Sequence, residues 1–196
     1  MDVAVPPVSP DQGFEGLRSE RLLVRRVRNE DAASLAAYRS DPEVARYQGW
    51  ETPMSIEEAR RFVRGMADDH PDTPGEWFQF AIEELETGEH IGDLASHTHG
   101  DDPRIATIGI TLRRGSQGSG YATEALRLLL EYLLADRRKH RVIGECDPRN
   151  AAVARLLERV GMRREAHHVQ SYWDGSGWTD EYVYAILAHE WRQSGR

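Results

Sequence analysis

The sequence predicts a mixed α/β (α+β) domain, in which a mostly antiparallel mixed sheet of about seven strands carries helices on both faces. Three strand-like runs follow one another as hairpins, at Trp77–Leu85, His90–His97 and Ile105–Leu112. Further along, helical segments alternate with strand-like segments, beginning with the strand Arg141–Cys146. Hairpin strands followed by strand–helix alternation do not fit a doubly wound sheet. They favour a single sheet of mixed direction.

The amino-terminal third of the domain supplies one strand and two helices. Apolar residues alternate from Glu20 to Val27, which indicates an opening strand. Asn29 is followed by two acidic residues and predicts a helix N-cap, with a helix running toward Arg39. Ser55 begins a Ser-Ile-Glu-Glu capping box, which predicts a second helix ending near Asp69.

The carboxy-terminal half contains the longest predicted helix and the closing strands. A glycine-rich segment opens that helix, and the next one ends at Gly161, as helices commonly do at glycine. The last two strands are predicted near Arg163–Tyr172 and Tyr182–Leu187, on either side of an Asp-Gly-Ser-Gly turn.

Composition limits the class of protein. The chain has 196 residues, 39% of them hydrophobic and 30% charged, which is typical of one globular domain. Its net charge of −8 argues against a nucleic-acid partner and suits a cationic one. No apolar run approaches the roughly 18 residues of a membrane helix, so we expect no membrane partner. Residues 1–16 lack the pattern of a signal peptide, and we expect a mobile leader and a cytoplasmic protein.

Cysteine and histidine usage argues against thiol and metal chemistry. Cys146 is the single cysteine, so no internal disulfide can form, and we interpret it as a half-buried strand residue. The chain has eight histidines, but none has the supported three-ligand spacing of a metal site. We therefore expect no metal.

The segment Gln117–Ala125 is the most specific signal in the chain. It lies between a predicted strand and a long helix, where glycines let the backbone approach a ligand and helix N–H groups bind phosphate. A Walker loop needs Lys after its last glycine, but Tyr121 and Ala122 follow here. A dinucleotide fingerprint needs a third Gly or Ala, and Thr123 occupies that place.

Two motifs resemble those of the Gcn5-related N-acetyltransferase (GNAT) superfamily, in the branch that contains ribosomal-protein N-terminal acetyltransferases. The acyl-coenzyme A motif Gln/Arg-x-x-Gly-x-Gly/Ala matches Gln117, Gly120 and Ala122. The second motif, an Asn followed by a helix ending in Gly-Phe, matches Asn150 with Gly161-Met162. The resemblance covers roughly residues 17–191. It implies one acyl-CoA-dependent N-acetyltransferase domain with a splayed sheet, followed by a tail of residues 192–196.

The resemblance also implies a coenzyme site. The strand before the glycine-rich turn should bind the pantetheine arm as an added strand would, and one of its N–H groups should polarise the thioester carbonyl. The turn should hold the pyrophosphate, and Asn150 should bond the pantetheine amide unless it is simply a helix N-cap. The implied coenzyme-binding residues are Ile110, Thr111, Leu112, Gln117, Gly118, Ser119, Gly120, Tyr121, Ala122, Thr123 and Asn150.

Catalytic residues are less clear, because the chain departs from the family at two positions. Leu157 stands where many members have a Tyr general acid, and Val153 where the ribosomal branch often has Ser. The resemblance makes Glu165 the candidate for a general base acting through water, and Tyr172 is the candidate acid.

The expected reaction transfers an acyl group, by default from acetyl-CoA, to an amine. A longer donor such as succinyl-CoA stays open. The acceptor is a protein N-terminus or a small cationic molecule, and a homodimer is left open. Two other functions remain: a non-catalytic acyl-CoA-binding domain and a phosphate-loop nucleotide binder.

Overall fold

A computed structural model describes residues 9–193, in which one sheet holds eight strands. The strands are β1 Leu17–Arg18, β2 Leu22–Arg26, β3 Trp77–Glu84, β4 His90–Thr98, β5 Ile105–Leu112, β6 Arg141–Cys146, β7 Arg163–Trp173 and β8 Trp178–Leu187. Their order across the sheet is β1-β2-β3-β4-β5-β6-β8-β7. Only β5 and β6 pair in parallel among these neighbours. The predicted fold class is confirmed, and the two-residue β1 is the strand that the sequence did not indicate.

Six α-helices pack on this sheet within the described residues. They are α1 Ala32–Arg39, α2 Pro42–Ala45, α3 Ile56–Gly65, α4 Tyr121–Glu131, α5 Ala151–Arg159 and α6 Ala188–Gln193. A π-helical turn continues α4 to Asp136. None of these helices is long and apolar enough to cross a bilayer.

The predicted helix starts are partly correct. Ser55 caps α3 and exchanges hydrogen bonds with Glu58, as its capping box predicts, but α3 ends at Gly65 and does not reach Asp69. Asn29 is not an N-cap: a short 3₁₀ turn begins there instead. Asp31 organises this turn, since its carboxylate accepts the Arg28 N–H at 2.7 Å and also pairs with the buried Arg25.

The sheet carries hydrophobic cores on both faces. The larger core lies against α4, α5 and α6 and includes Phe80, Leu94 and Leu129. The smaller one packs α1 and α3 together through Leu35 and Val63. Helices therefore cover both faces, as the sequence predicts.

Part of the expected leader belongs to this larger core. Phe14 is buried and meets the rings of Phe80 and Tyr132 edge to face, at centroid distances of 5.3 and 5.5 Å. The Tyr132 hydroxyl donates to the Asp11 carboxylate at 2.8 Å. The prediction of a mobile leader is thus corrected for residues 11–16, while residues 1–8 lie outside the described part of the chain. At the other end, α6 includes residues 192–193 of the expected tail, and residues 194–196 again lie outside it.

Replacing Phe14 should therefore destabilise the whole domain. Removing a buried phenyl ring costs about 3 kcal/mol, and Phe14→Ala should lower the melting temperature by about 10 °C. Calorimetry should show a much smaller loss for Phe14→Leu and none for Ala at the exposed neighbour Glu15. An unchanged melting temperature in Phe14→Ala would place this segment outside the cooperative unit.

Candidate functional site

The parallel pair β5–β6 opens halfway along its length. The ladder runs from Ile105 opposite Arg141 to Ile108 opposite Gly144 and stops there. Residues 109–112 of β5 remain paired with β4, while β6 continues to Cys146 beside β8. The two strands therefore diverge toward their carboxyl ends, and the predicted splay is present in the sheet.

The glycine-rich turn stands directly above this opening. Gly118 and Gly120 have φ of 80° and 85°, a left-handed conformation that favours glycine over residues with a Cβ. Gly120 is the N-cap of α4, and no side chain caps the helix there, so its first N–H groups are available to an anion. Gln117 anchors the turn, because its Nε2 donates to the Leu112 carbonyl at 3.0 Å. The predicted phosphate cradle thus has the geometry that anion binding requires.

A cleft of about 660 Å³ runs from this cradle to the splay, between the amino-terminal ends of α4 and α5. The sequence-predicted coenzyme residues that line it are Ile110, Thr111, Leu112, Gln117, Gly118, Gly120, Ala122, Thr123 and Asn150. Its opposite wall includes Tyr47 and Gln48, which follow α2. Gln48 went unnoticed in the sequence, where nothing distinguishes it from a surface amide; its Nε2 lies 3.5 Å from Thr111 Oγ1.

Ser119 and Tyr121, the other two predicted residues, are outside the cleft lining and belong to a set of contacts that we call the Arg21 clamp, Ser119 through its carbonyl and Tyr121 through its side chain. Arg21 donates from Nη1 to the Ser119 carbonyl at 3.1 Å and from Nε to Glu124 at 2.8 Å. Its guanidinium also lies over the Tyr121 ring, 4.5 Å from the centroid, and the Tyr121 hydroxyl donates to Glu84. The clamp therefore fixes the outer side of the cradle to the strands β2 and β3.

Asn150 serves two purposes in the structure. Its Oδ1 accepts the Val153 N–H at 3.2 Å, so it caps α5, and it lines the cleft as well. Two arginines, Arg155 and Arg159, line the same wall. The Nη1 of Arg159 lies 3.4 Å from the Thr123 hydroxyl. This part of the wall carries positive charge toward the cradle, as a phosphorylated ligand needs.

An inner cavity of about 100 Å³ continues from the cleft into the splay between β5 and β6. Ile110, Asn150 and Val153 line both spaces, so the cavity joins the cleft there. Cys146 lies on its wall, and burial raises the pKa of this thiol to about 11. The side chain therefore stays a neutral thiol, consistent with the prediction that it is no nucleophile.

The structure does not bring Glu165 to the cleft. Glu165 pairs with Arg141, the first residue of β6, and with Arg163 at 2.5 Å. The cleft lies at the other end of β6, five residues or about 16 Å away. Hydrogen bonds from Arg141 also lower the pKa of Glu165, which weakens it as a base. The expectation of a general base at Glu165 is corrected by this placement.

Tyr172 lies beside the loop that follows α2 and is not among the residues that line the cleft or the inner cavity. A Cβ added at Gly49 would come within 2.5 Å of the Tyr172 hydroxyl oxygen, so this hydroxyl rests against the Gly49 backbone. The same loop carries Tyr47 and Gln48 into the cleft. Trp50, in the same loop, donates its Nε1 proton to the Arg39 carbonyl at 3.2 Å.

Two carboxylates mark the sheet face that looks toward α1 at the splay. Glu145 lines the inner cavity and pairs across the ladder with Val183, which places Glu181 on the same face two residues away. Burial and the neighbouring Glu145 raise the pKa of Glu181. A side chain that binds a cationic amine, or accepts its proton, is therefore available beside the cavity.

Comparison with known proteins finds N-acetyltransferases among the relatives of this chain. The chain is 30% identical over 175 residues to the uncharacterized N-acetyltransferase YnaD of Bacillus subtilis, covering 89% of this chain and 98% of the relative. It is 23% identical over 190 residues to the [ribosomal protein uS5]-alanine N-acetyltransferase of Escherichia coli, covering 89% and 92%.

Solved structures share the fold. A GNAT-family acetyltransferase from Bacillus anthracis superposes with a TM-score of 0.79 at 29% identity, covering 89% of this chain and 99% of its own. A Vibrio cholerae spermidine N-acetyltransferase in complex with CoA and spermine superposes with a TM-score of 0.76 at 18% identity. The match covers 89% of this chain and 99% of that structure's chain. Residues 21–163 match the family described as the acetyltransferase (GNAT) domain, and the chain belongs to that family of acetyltransferases.

Proposed function

We propose that this protein transfers an acetyl group from acetyl-CoA to a primary amine by direct attack in a ternary complex. One observation carries the proposal: the cradle, the free edge of β5 and the Asn150 cap line a single cleft that ends at the splay. A pantetheine arm fits such a cleft, since its amides can pair with an open strand edge. Binding of CoA by the structural neighbour from Vibrio cholerae supports the same choice of donor.

The coenzyme binds along the cleft from the cradle to the splay. The backbone from Gly118 to Thr123 holds the pyrophosphate, and the positive end of the α4 dipole adds to the attraction. Residues 110–112 pair with the pantetheine arm, and the Asn150 side chain bonds one of its amides. The thioester then lies where the cleft meets the inner cavity, beside Ile110 and Val153.

The chemistry needs a neutral amine and a stabilised oxyanion. The amine nitrogen attacks the thioester carbonyl carbon, and a backbone N–H of β5 near Ile110 stabilises the tetrahedral oxyanion. Glu145 takes the proton that the nitrogen loses, directly or through water. Collapse of the intermediate breaks the C–S bond, and the departing thiolate needs only modest help because thiols have a pKa near 8.5. Tyr172, whose hydroxyl lies against Gly49, is the candidate donor of a proton to that thiolate.

The acceptor is a cationic amine before it reacts. Glu145 and Glu181 supply negative charge on the acceptor face of the splay. The named relatives act on a ribosomal-protein N-terminal alanine and on spermidine, both of which present primary amines. We propose that the acceptor belongs to this chemical class, as a protein N-terminus or a small polyamine-like molecule.

An acceptor screen tests the function. Acetyl-CoA should release free thiol faster with one or more amines, such as N-terminal peptides and polyamines, than with water alone. Gly120→Glu places a negative side chain in the cradle and should abolish release while circular dichroism shows a folded domain. Tight acetyl-CoA binding without release from any amine would favour the non-catalytic coenzyme-binding function.

The Arg21 clamp should act on coenzyme affinity. Arg21→Ala frees the outer side of the cradle, so the dissociation constant for CoA should rise about tenfold, equivalent to about 1.4 kcal/mol. The dissociation constant of Arg21→Lys should lie between those of the wild type and Arg21→Ala, because lysine cannot make the same forked contacts. Arg18→Ala, a loss of the same charge at an exposed position nearby, serves as the control and should leave the affinity unchanged. If Arg21→Ala and Arg18→Ala weaken CoA binding equally, the loss comes from the removed positive charge and not from the contacts of the clamp.

Removing the proposed base should slow the chemical step. Glu145→Gln should lower kcat at neutral pH about a hundredfold, the lower end of general-base contributions, with CoA affinity unchanged. The loss should shrink as pH rises, because more of the amine is already neutral. Glu165→Gln is the matched control and should stay within about threefold of wild type. If Glu165→Gln proves the slower variant, the assignment of the base reverts to Glu165.

A further inference from the structure

The loop between α2 and α3, residues 46–55, supplies one wall of the proposed reaction centre. Tyr47 and Gln48 line both the cleft and the inner cavity, so they face the junction where the thioester lies. Gln48 also reaches β5, with its Nε2 3.5 Å from Thr111 Oγ1. The loop contains no helix or strand, so contacts with neighbouring elements must hold this wall in place.

Arg39, the last residue of α1, makes such a contact. Its guanidinium lies between two aromatic rings, 4.6 Å from the centroid of Trp50 in the loop and 4.6 Å from that of Phe62 on α3. Trp50 is also tied to the Arg39 backbone by its Nε1 hydrogen bond. Arg39 is only 6% exposed, and the attraction between a cation and an aromatic face is strongest where water is excluded.

The same guanidinium is tied to the sheet. Arg39 Nη2 lies 3.7 Å from Oδ2 of Asp93, a buried residue of β4. Gln79 on β3 donates to the other Asp93 oxygen at 2.5 Å. Asp93 stands opposite Thr111 in the β4–β5 ladder, and Thr111 contacts Gln48. The contacts therefore form a closed ring, from the sheet through Arg39 and the loop back to β5.

A second contact anchors the end of the loop that leads into α3. Ser40 Oγ donates to the Met54 carbonyl at 3.1 Å and accepts the Met54 N–H at 2.9 Å. Met54 is six residues from Gln48, whereas Trp50 is two residues from it. Loss of the contact between Arg39 and Trp50 would thus free the part of the loop that lines the cleft, while Ser40 still holds the start of α3.

We propose that Arg39 is a positioning residue for the reaction, which stacks on Trp50 and so holds Tyr47 and Gln48 against the reacting thioester. The inference rests on the proposed function, because that function places the thioester beside this wall. A misplacement of about 1 Å near reacting groups can slow the chemistry about a hundredfold. The phosphate cradle lies on the opposite wall, so coenzyme affinity should not depend on this contact.

The two rings allow a matched pair of variants. Trp50→Leu removes the ring that belongs to the loop, and Phe62→Leu removes the ring that belongs to α3, at the same distance from the same cation. Both should lower the melting temperature. With spermidine or a peptide with N-terminal alanine as acceptor, only Trp50→Leu should lower kcat, by about tenfold or more. Its dissociation constant for CoA should stay within about threefold of wild type.

A variant at Arg39 locates the effect. Arg39→Met keeps an unbranched side chain between the rings but removes the charge, and should lower kcat as Trp50→Leu does. The double variant should be no slower than either single variant, because both break the same contact. A kcat loss in Phe62→Leu equal to that in Trp50→Leu, or additive losses in the double variant, would overturn the positioning role of Arg39.

Hydrogen exchange tests the wall without any acceptor. Amides of residues 46–50 should exchange faster in Trp50→Leu and in Arg39→Met than in the wild type, and at the wild-type rate in Phe62→Leu. Unchanged exchange in the first two variants would overturn the inference and leave acetyl transfer intact. If the wild type releases thiol with no amine, the proposed function fails, and the role of Arg39 in turnover fails with it.

Discussion

The early end of the β5–β6 ladder is the constraint on which the site depends. Four residue pairs join the strands in parallel, and beyond Ile108 and Gly144 they separate. Each strand keeps its outer neighbour, β4 or β8, so neither loses its shape where they part. Peptide groups inside a protein need partners, and a strand edge that opens within a sheet suits a ligand that brings its own amides. The cleft and the inner cavity both follow from this separation.

Contacts on both sides of the cradle hold its flexible glycines in one conformation. Gly118 and Gly120 give the turn its left-handed backbone, but glycine also loses the most freedom on folding. The side chains on either side compensate. Gln117 fixes the entrance of the turn to β5, and Arg21 fixes its outer carbonyl to β2. A preorganised donor array can then meet an anion without first being ordered.

Local sequence patterns predict much of the fold and of the coenzyme cleft. Most of the features that they do not predict depend on pairing between residues far apart in the chain. Strand and helix periodicity and the two motifs predict the sheet, the cradle and the cap at Asn150, because each of these signals is local in the chain. Glu165 was misplaced because its environment depends on Arg141, a partner on another strand whose register the sequence does not reveal. Phe14 was missed because it sits among polar residues, with aromatic partners far along the chain. Arg21 and Gln48 look like ordinary surface residues until the fold brings them to the cleft.

The Arg21 clamp has a consequence for the order of folding. Arg21 and Glu124 are 103 positions apart, and Ser19 also reaches Glu124, at 2.7 Å. Closing so long a loop is costly in chain entropy, so contacts of this range form late on most folding routes. The turn would thus acquire its final shape only after the opening strands have docked. The ligand therefore recognises only molecules in which Ser19 and Arg21 have already met Glu124.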